Sequence, residues 1–273
     1  MDFPLARQRF YQEIQQPDEQ IDLARAALYL AQEEYPQLDP EEYLNALDVM
    51  ADEVRERLPA ERYPLRIVQT LNRYLYEDLG FAGNAAQYYD PRNSYLNDVI
   101  ERRRGIPITL SLVYLEVARR IEFPMVGVGM PGHFLIRPAV EAMEIFVDPF
   151  HQGAVMFTED CQERLSQIYE QPVELRSEFL RAVGKRQFLS RMLTNLKMIY
   201  LSQQDLLRSL SAIERILLLF PNVSEEQRDR GILYYHLGRW TEASLDLEAY
   251  LDQSPVAKDA DFIRNLLAQI SRA

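Results

Sequence analysis

Cysteine is almost missing from this chain of 273 residues: Cys161 stands alone. One cysteine excludes an intramolecular disulfide and any zinc module built on several thiolates. It fits a reducing compartment, so a cytoplasmic location is expected. Histidine is scarce too, with three. His133, His151, Asp148 and Cys161 could be drawn together on paper, but no H-x-x-x-H or C-x-x-C spacing supports it. Neither a metal nor another cofactor is expected. No uncharged apolar run approaches the roughly 18 residues of a membrane span. The start, Met1-Asp2-Phe3-Pro4-Leu5-Ala6-Arg7, has no apolar stretch behind a basic end, so no signal peptide is expected. Low-complexity tracts are absent and hydrophobic residues make up 47%, enough for a sizeable core.

Positive charge is sparse near the start. The formal net charge is −12, and through Arg62 fifteen Asp/Glu face six Arg and no Lys. A polyanion would be repelled from such a segment, which argues against nucleic acid or an anionic membrane surface. A solvated acidic helical face accounts for it without any partner.

Periodicity supplies the organisation. Ile21, Ala24, Leu28 and Ala31 follow the spacing of one helix face, and Leu44, Leu47, Ala51 and Val54 repeat it. Asp39 before Pro40, with Glu41 and Glu42 behind, is the pattern of an N-cap, a first-turn proline and an acidic first turn. A third helix carries Val68, Leu71, Leu75 and Leu79, with Gly80 as its stop. Ser94 is expected to cap a short helix ending near Gly105. Another helix opens at Gly105-Ile106-Pro107 and runs to about Ile121, with Leu110, Val113, Val117 and Ile121 as its stripe.

The period then changes. Met125 to Val128 is a short apolar run, and His133 to Arg137 and Glu144 to Asp148 alternate as strands do. Pairing Arg137 with Glu144 across the loop Pro138 to Met143 puts Leu135 opposite Phe146 and His133 opposite Asp148. From about Arg176 the pattern is helical to the end. Pro221 and Pro255 lie 34 residues apart there, the tetratricopeptide period. In the same register Tyr200 matches Tyr234, Ser209 matches Ala243 and Ile213 matches Leu247. Gly231 and Ala243 mark a close approach of paired helices, whereas the first copy has Lys197 in place of that glycine. Asp259 to Ile270 reads as a capping helix.

Gly127-Val128-Gly129-Met130-Pro131-Gly132 satisfies G-x-G-x-x-G, but Pro131 and a following strand exclude the helix N-terminus that a dinucleotide site needs. A turn where the backbone passes close to a neighbour explains the glycines. His133 facing Asp148 is the stronger feature: a strand-borne carboxylate orients an imidazole as a general base. The same pair also reads as a hydrogen bond that only stabilises the hairpin.

The stretch Asn93-Ser94-Tyr95-Leu96-Asn97-Asp98-Val99-Ile100-Glu101-Arg102-Arg103-Arg104-Gly105-Ile106-Pro107, with Gly132-His133-Phe134 and Phe146-Val147-Asp148-Pro149-Phe150, resembles the bacterial SirB-one family. The acidic helical N-terminus and the C-terminal repeats carry the same resemblance. It implies an α+β fold: an N-terminal helical subdomain (1–90), a papain/transglutaminase-like core with a small antiparallel sheet (91–184) and a repeat region (185–273). It also implies that His133 and Asp148 take the histidine and aspartate places of such cores. The cysteine place falls near Pro107 or Ile108, neither of which is a nucleophile. Ser111, one turn below Pro107, is the candidate hydroxyl, and Thr109 should face away. Arg102, Arg103 and Arg104 form a basic run that suits a carboxylate ligand or a helix C-terminus; Asn93 and Asn97 could line the same cleft. The expected function is a non-catalytic peptide- or protein-binding scaffold whose repeats engage a partner. The alternative is a serine-dependent amide or ester hydrolase or acyltransferase using Ser111, His133 and Asp148.

Overall fold

The protein is described by a computed structural model covering residues 4–140 and 144–272. The chain divides into two compact units, Met1–Leu189 and Ser190–Ala273.

The first unit begins with helices α1 (Leu5–Ile14), α2 (Leu23–Glu34), α3 (Pro40–Arg57) and α4 (Pro64–Asn72). Asp22 and Asp39 cap α2 and α3, accepting from the backbone N–H of Arg25 at 2.9 Å and of Glu41 at 3.0 Å. Ala24, Leu28, Ala31, Leu44, Leu47, Ala51 and Val54 are all buried, so both apolar faces lie inward as the spacing requires. α4 continues as a π-helical turn, Arg73–Asp78, and stops at Gly80 with a positive φ.

Two short parallel strands, β1 (Ala82–Gly83) and β2 (Arg104–Gly105), flank helix α5 (Leu96–Arg102). Ser94 does not cap α5: Tyr95 holds the N-cap position without a side-chain bond. Helix α6 (Pro107–Arg120) follows. Every residue from Pro107 to Ala118 is buried, so the predicted stripe is only part of its contact surface. α6 packs against α3 and α5 as well as strands of the sheet, the position of a central core helix.

The sheet is antiparallel, in the order β3 (Met125–Val128), β4 (Leu135–Pro138), β5 (Phe146–Asp148), β6 (Ala154–Met156). Helix α7 (Thr158–Ile168) covers it, with Cys161 and Leu165 in one buried cluster with Val128, Leu135, Phe146 and Met156. The expected helix from Arg176 is delayed. Ser177–Leu180 is a 3-10 turn, Ala182 bridges Val128, and Val183 donates to the Gly127 carbonyl at 2.9 Å. The open edge of β3 captures this backbone before helix α8 (Lys185–Ser202) starts.

The second unit contains the rest of α8 with α9 (Leu206–Leu219), α10 (Ser224–His236), α11 (Trp240–Gln253) and α12 (Ala260–Ile270). Ile213, Leu233, Tyr234 and Ala243 pack together, and Leu247, Tyr250, Ile263 and Leu266 form the next layer. A Cβ on Gly231 would lie 2.8 Å from Leu247, the close approach that the repeat pattern demands. Lys197, standing where the first copy would have that glycine, is buried; its ammonium reaches Glu226 at 2.8 Å and Asp229 at 2.6 Å on α10. A degenerate repeat position has become an ion-pair cluster.

Candidate functional site

A tight turn delivers the histidine. In Met130-Pro131-Gly132-His133 the His133 N–H donates to the Met130 carbonyl at 3.1 Å, and Gly132 has φ +72°. Proline second and left-handed glycine third is the chemistry of a type II turn. The glycine-rich string is therefore the β3–β4 turn. Gly127 serves the close approach: a Cβ there would sit 2.8 Å from the Phe134 ring.

His133 Nε2 lies 2.9 Å from Asp148 Oδ2. The register that brings them together differs from the expected one. Ile136 pairs with Val147, which sets Leu135 opposite Asp148 and Arg137 opposite Phe146. Arg137 and Glu144 are not paired, and part of the loop expected between them, Glu141 to Met143, lies outside the described residues. The offset is two residues. Side chains alternate with period two, so an even offset keeps His133 and Asp148 on one face and lets them meet diagonally.

Asp148 is fully buried and fully engaged. Oδ1 accepts from the backbone N–H of Phe150 at 3.1 Å and of His151 at 3.3 Å, while Oδ2 also meets His151 Nδ1 at 2.8 Å. Pro149 sets the 3-10 turn Pro149–His151 that folds His151 back onto its own strand end. Burial alone would raise the carboxyl pKa. The hydrogen bonds that His133 and His151 donate outweigh it and hold the group well below the usual carboxylate range. An ionised carboxylate only accepts, so His133 carries its proton on Nε2 and His151 on Nδ1. Arg164 on α7 agrees with that tautomer: its Nη1 lies 3.1 Å from His151 Nε2, where a guanidinium needs a lone pair. Tyr76, on the π-helical turn, completes the surroundings. Burial first, then Tyr114 and Asp148, push its phenol well above the ordinary value.

The start of α6 lies close to this segment. A Cβ on Gly83 would fall 2.6 Å from the Phe150 ring, and Gly83 pairs with Gly105, two residues before Pro107. Pro107 opens the helix with neither a thiol nor an N–H to offer. Ser111 is wholly buried and donates its proton to the Pro107 carbonyl at 2.7 Å; it makes no bond to His133. Thr109 accepts from the Ile106 N–H at 3.1 Å and donates to the Asn93 carbonyl at 2.6 Å. The thiol of Cys161 is buried, which, with the charges of Asp160 and Asp148, pushes it up to about 12. It is no thiolate at neutral pH.

The proposed recognition residues divide. Asn93 is buried as a loop brace, donating to the Gln87 carbonyl at 2.7 Å and accepting from Asn84 at 3.0 Å. Arg104 donates to the Gly80 carbonyl at 2.8 Å and Arg103 to that of Leu79 at 2.6 Å, so they tie down the end of the π-helical turn that extends α4. Arg102 reaches Asp90 at 3.5 Å. Among the described residues, Asn97 Oδ1, Ser94 Oγ and Arg102 Nη1 are buried without a hydrogen-bond partner.

Three of the four metal-type residues do meet: one ligand atom from each of His133, Asp148 and His151 lies within 4.8 Å of the others. Cys161 is outside that group. His151 had a local signal, the Asp148-Pro149-Phe150-His151 spacing of a proline-initiated 3-10 turn. Arg164 and Tyr76 had none, because each arrives on a separate element.

Residues 41–194 match the transglutaminase-like superfamily and residues 196–268 the tetratricopeptide repeat. A UPF0162 protein of Xylella fastidiosa (strain 9a5c) is 38% identical over 93% of this chain and 92% of its own length. The corresponding figures for a UPF0162 protein of Pseudomonas aeruginosa are 31%, 84% and 83%. F-box only protein 21 of Mus musculus is 32% identical over 67% of this chain but only 30% of its own length. No solved structure matches. A transglutaminase-like match over residues 41–194, extended by tetratricopeptide repeats, and 38% identity to a UPF0162 protein over most of both chains place this chain in the transglutaminase-like superfamily, in the UPF0162 (SirB-like) family.

Proposed function

We propose that this is a transglutaminase-like protein without transglutaminase chemistry: a scaffold that holds a peptide or an amide-bearing ligand near His133 and engages a protein partner through its repeats. The observation that carries the reading is the pairing of an oriented His133–Asp148 dyad with a helix start, Pro107 and Ile108, that offers no nucleophile. An imidazole held by a buried carboxylate is a directional hydrogen-bonding group even where no thiol stands beside it. Asn97, whose buried carbonyl oxygen has no partner, is the second polar group offered to a ligand. The repeats support the partner half, since helical-repeat arrays present extended binding surfaces.

The hydrolase alternative needs Ser111 to release the Pro107 carbonyl and turn toward His133. Treatment of the intact chain with a fluorophosphonate probe should leave the mass of Ser111 unchanged. A covalent adduct that disappears in Ser111→Ala would overturn the non-catalytic reading. Conversely, Pro107→Cys should create a thiol alkylated by iodoacetamide faster in the presence of His133 than in the His133→Ala background. Equal rates would remove the start of α6 from the site.

A further inference from the structure

We propose that His133, Asp148 and His151 form a binding site for one divalent transition-metal ion, and that Arg164 competes with that ion. Two imidazoles and one carboxylate are a donor set that suits zinc, cobalt or iron(II) and leaves further coordination positions open. Donors held about 2.0–2.2 Å from one ion lie roughly 3 Å from each other. Asp148 Oδ2 already lies 2.9 Å from His133 Nε2 and 2.8 Å from His151 Nδ1. All three ligand atoms lie within 4.8 Å of one another, so the two rings adjust around the fixed carboxylate to admit an ion.

The site is also preorganised. Asp148 Oδ1 is pinned by two backbone N–H groups, which aims Oδ2 at both rings; such second contacts fix the orientation of metal ligands. His133 is buried while the His151 side chain is 41% exposed, which gives an entry path and room for a water or a ligand atom on the ion. Proton balance is simple. Each neutral ring moves its proton to the nitrogen away from the carboxylate, His133 to Nδ1 and His151 to Nε2, and none is lost. That shift has a consequence at Arg164. With Nε2 of His151 protonated, two donors would face each other across the present 3.1 Å, so the guanidinium must turn away before the ion settles. Its side chain is 26% exposed, and solvent can receive it. Arg164 thus stabilises the tautomer that closes the site.

The intact chain, stripped with a chelator, is titrated with Zn²⁺ by calorimetry and with Co²⁺ by visible absorption. One equivalent should bind. His151→Ala, a substitution at a half-open position, should keep the fold by thermal melting and weaken binding at least about tenfold. His236→Ala should bind as wild type, and Arg164→Ala more tightly. Absence of a bound equivalent, unchanged affinity in His151→Ala, or a sulfur-to-cobalt band implicating Cys161 would each overturn the site. Unchanged affinity in Arg164→Ala would overturn the competition.

Discussion

At Asp148 four N–H donors converge on one carboxylate: two imidazoles and two backbone amides. Its folded pKa is depressed, so the sign of the pH effect is fixed. Stability from this group is present above the unfolded carboxylate value of about 3.9 and is lost as pH falls below it. Asp148→Asn presents an amide N–H₂ to donors that need an acceptor, and breaking such a buried pairing costs about 3–5 kcal/mol. Urea midpoints at neutral pH should fall accordingly. Below about pH 4 the gap between variant and wild type should narrow; a gap independent of pH would show that the carboxylate is not held ionised. The meeting of His133 and Asp148 was legible from alternation, although the strand expected from His133 begins only at Leu135 and a tight turn delivers the histidine. The recruitment of Arg164 was not, since nothing local to residue 164 encodes the position of His151.

Among the elements, the repeat helices show a pattern and its exception side by side. Gly231 lets α10 lie against α11, with Leu247 where a methyl group would go. Alanine is favoured over glycine in a helix by about 1 kcal/mol, yet overpacking typically costs about 1–3 kcal/mol. Gly231→Ala should therefore show a net loss of about 1 kcal/mol in chemical denaturation, and a gain would mean that Leu247 simply repacks. In the first copy Lys197 is the buried counter-charge to Glu226 and Asp229. Lys197→Met leaves Glu226 without its counter-charge, while Asp229 keeps Arg228 at 2.6 Å, and should cost about 2 kcal/mol. Adding Glu226→Gln should recover part of that loss, a coupling that a double-mutant cycle measures. The 34-residue period was readable from prolines and small residues. The replacement of a small-residue contact by an ion cluster depended on which side chains α10 happened to supply. α6 teaches the same lesson: its predicted stripe is buried, and so is the rest of its circumference, because strands cover what a surface helix would expose.

For the whole molecule, the junction at α8 carries the most direct test. Lys185 donates to the Glu19 carbonyl at 2.9 Å and that of Ile21 at 2.6 Å, Arg186 to that of Ile14 at 2.6 Å, and Phe188 stacks edge-on against Phe134 with ring centroids 4.9 Å apart. All of these lie within the first unit. A chain ending at 184 should melt well below a chain ending at 204, which keeps them; equal melting temperatures would make α8 dispensable to that unit. The sequence by itself determined the inward faces of α2 and α3, the caps at Asp39 and Gly80, the repeat period and the shared face of His133 and Asp148. These follow from periodicities and backbone preferences a few residues long. Only the tertiary structure decided the two-residue register offset, the capture of residues 182–183 by the β3 edge, the locking of Ser111 to the Pro107 carbonyl and the ring of donors around Asp148. Each of those depends on how distant segments close on one another, and a hydrophobic period carries no information about that distance.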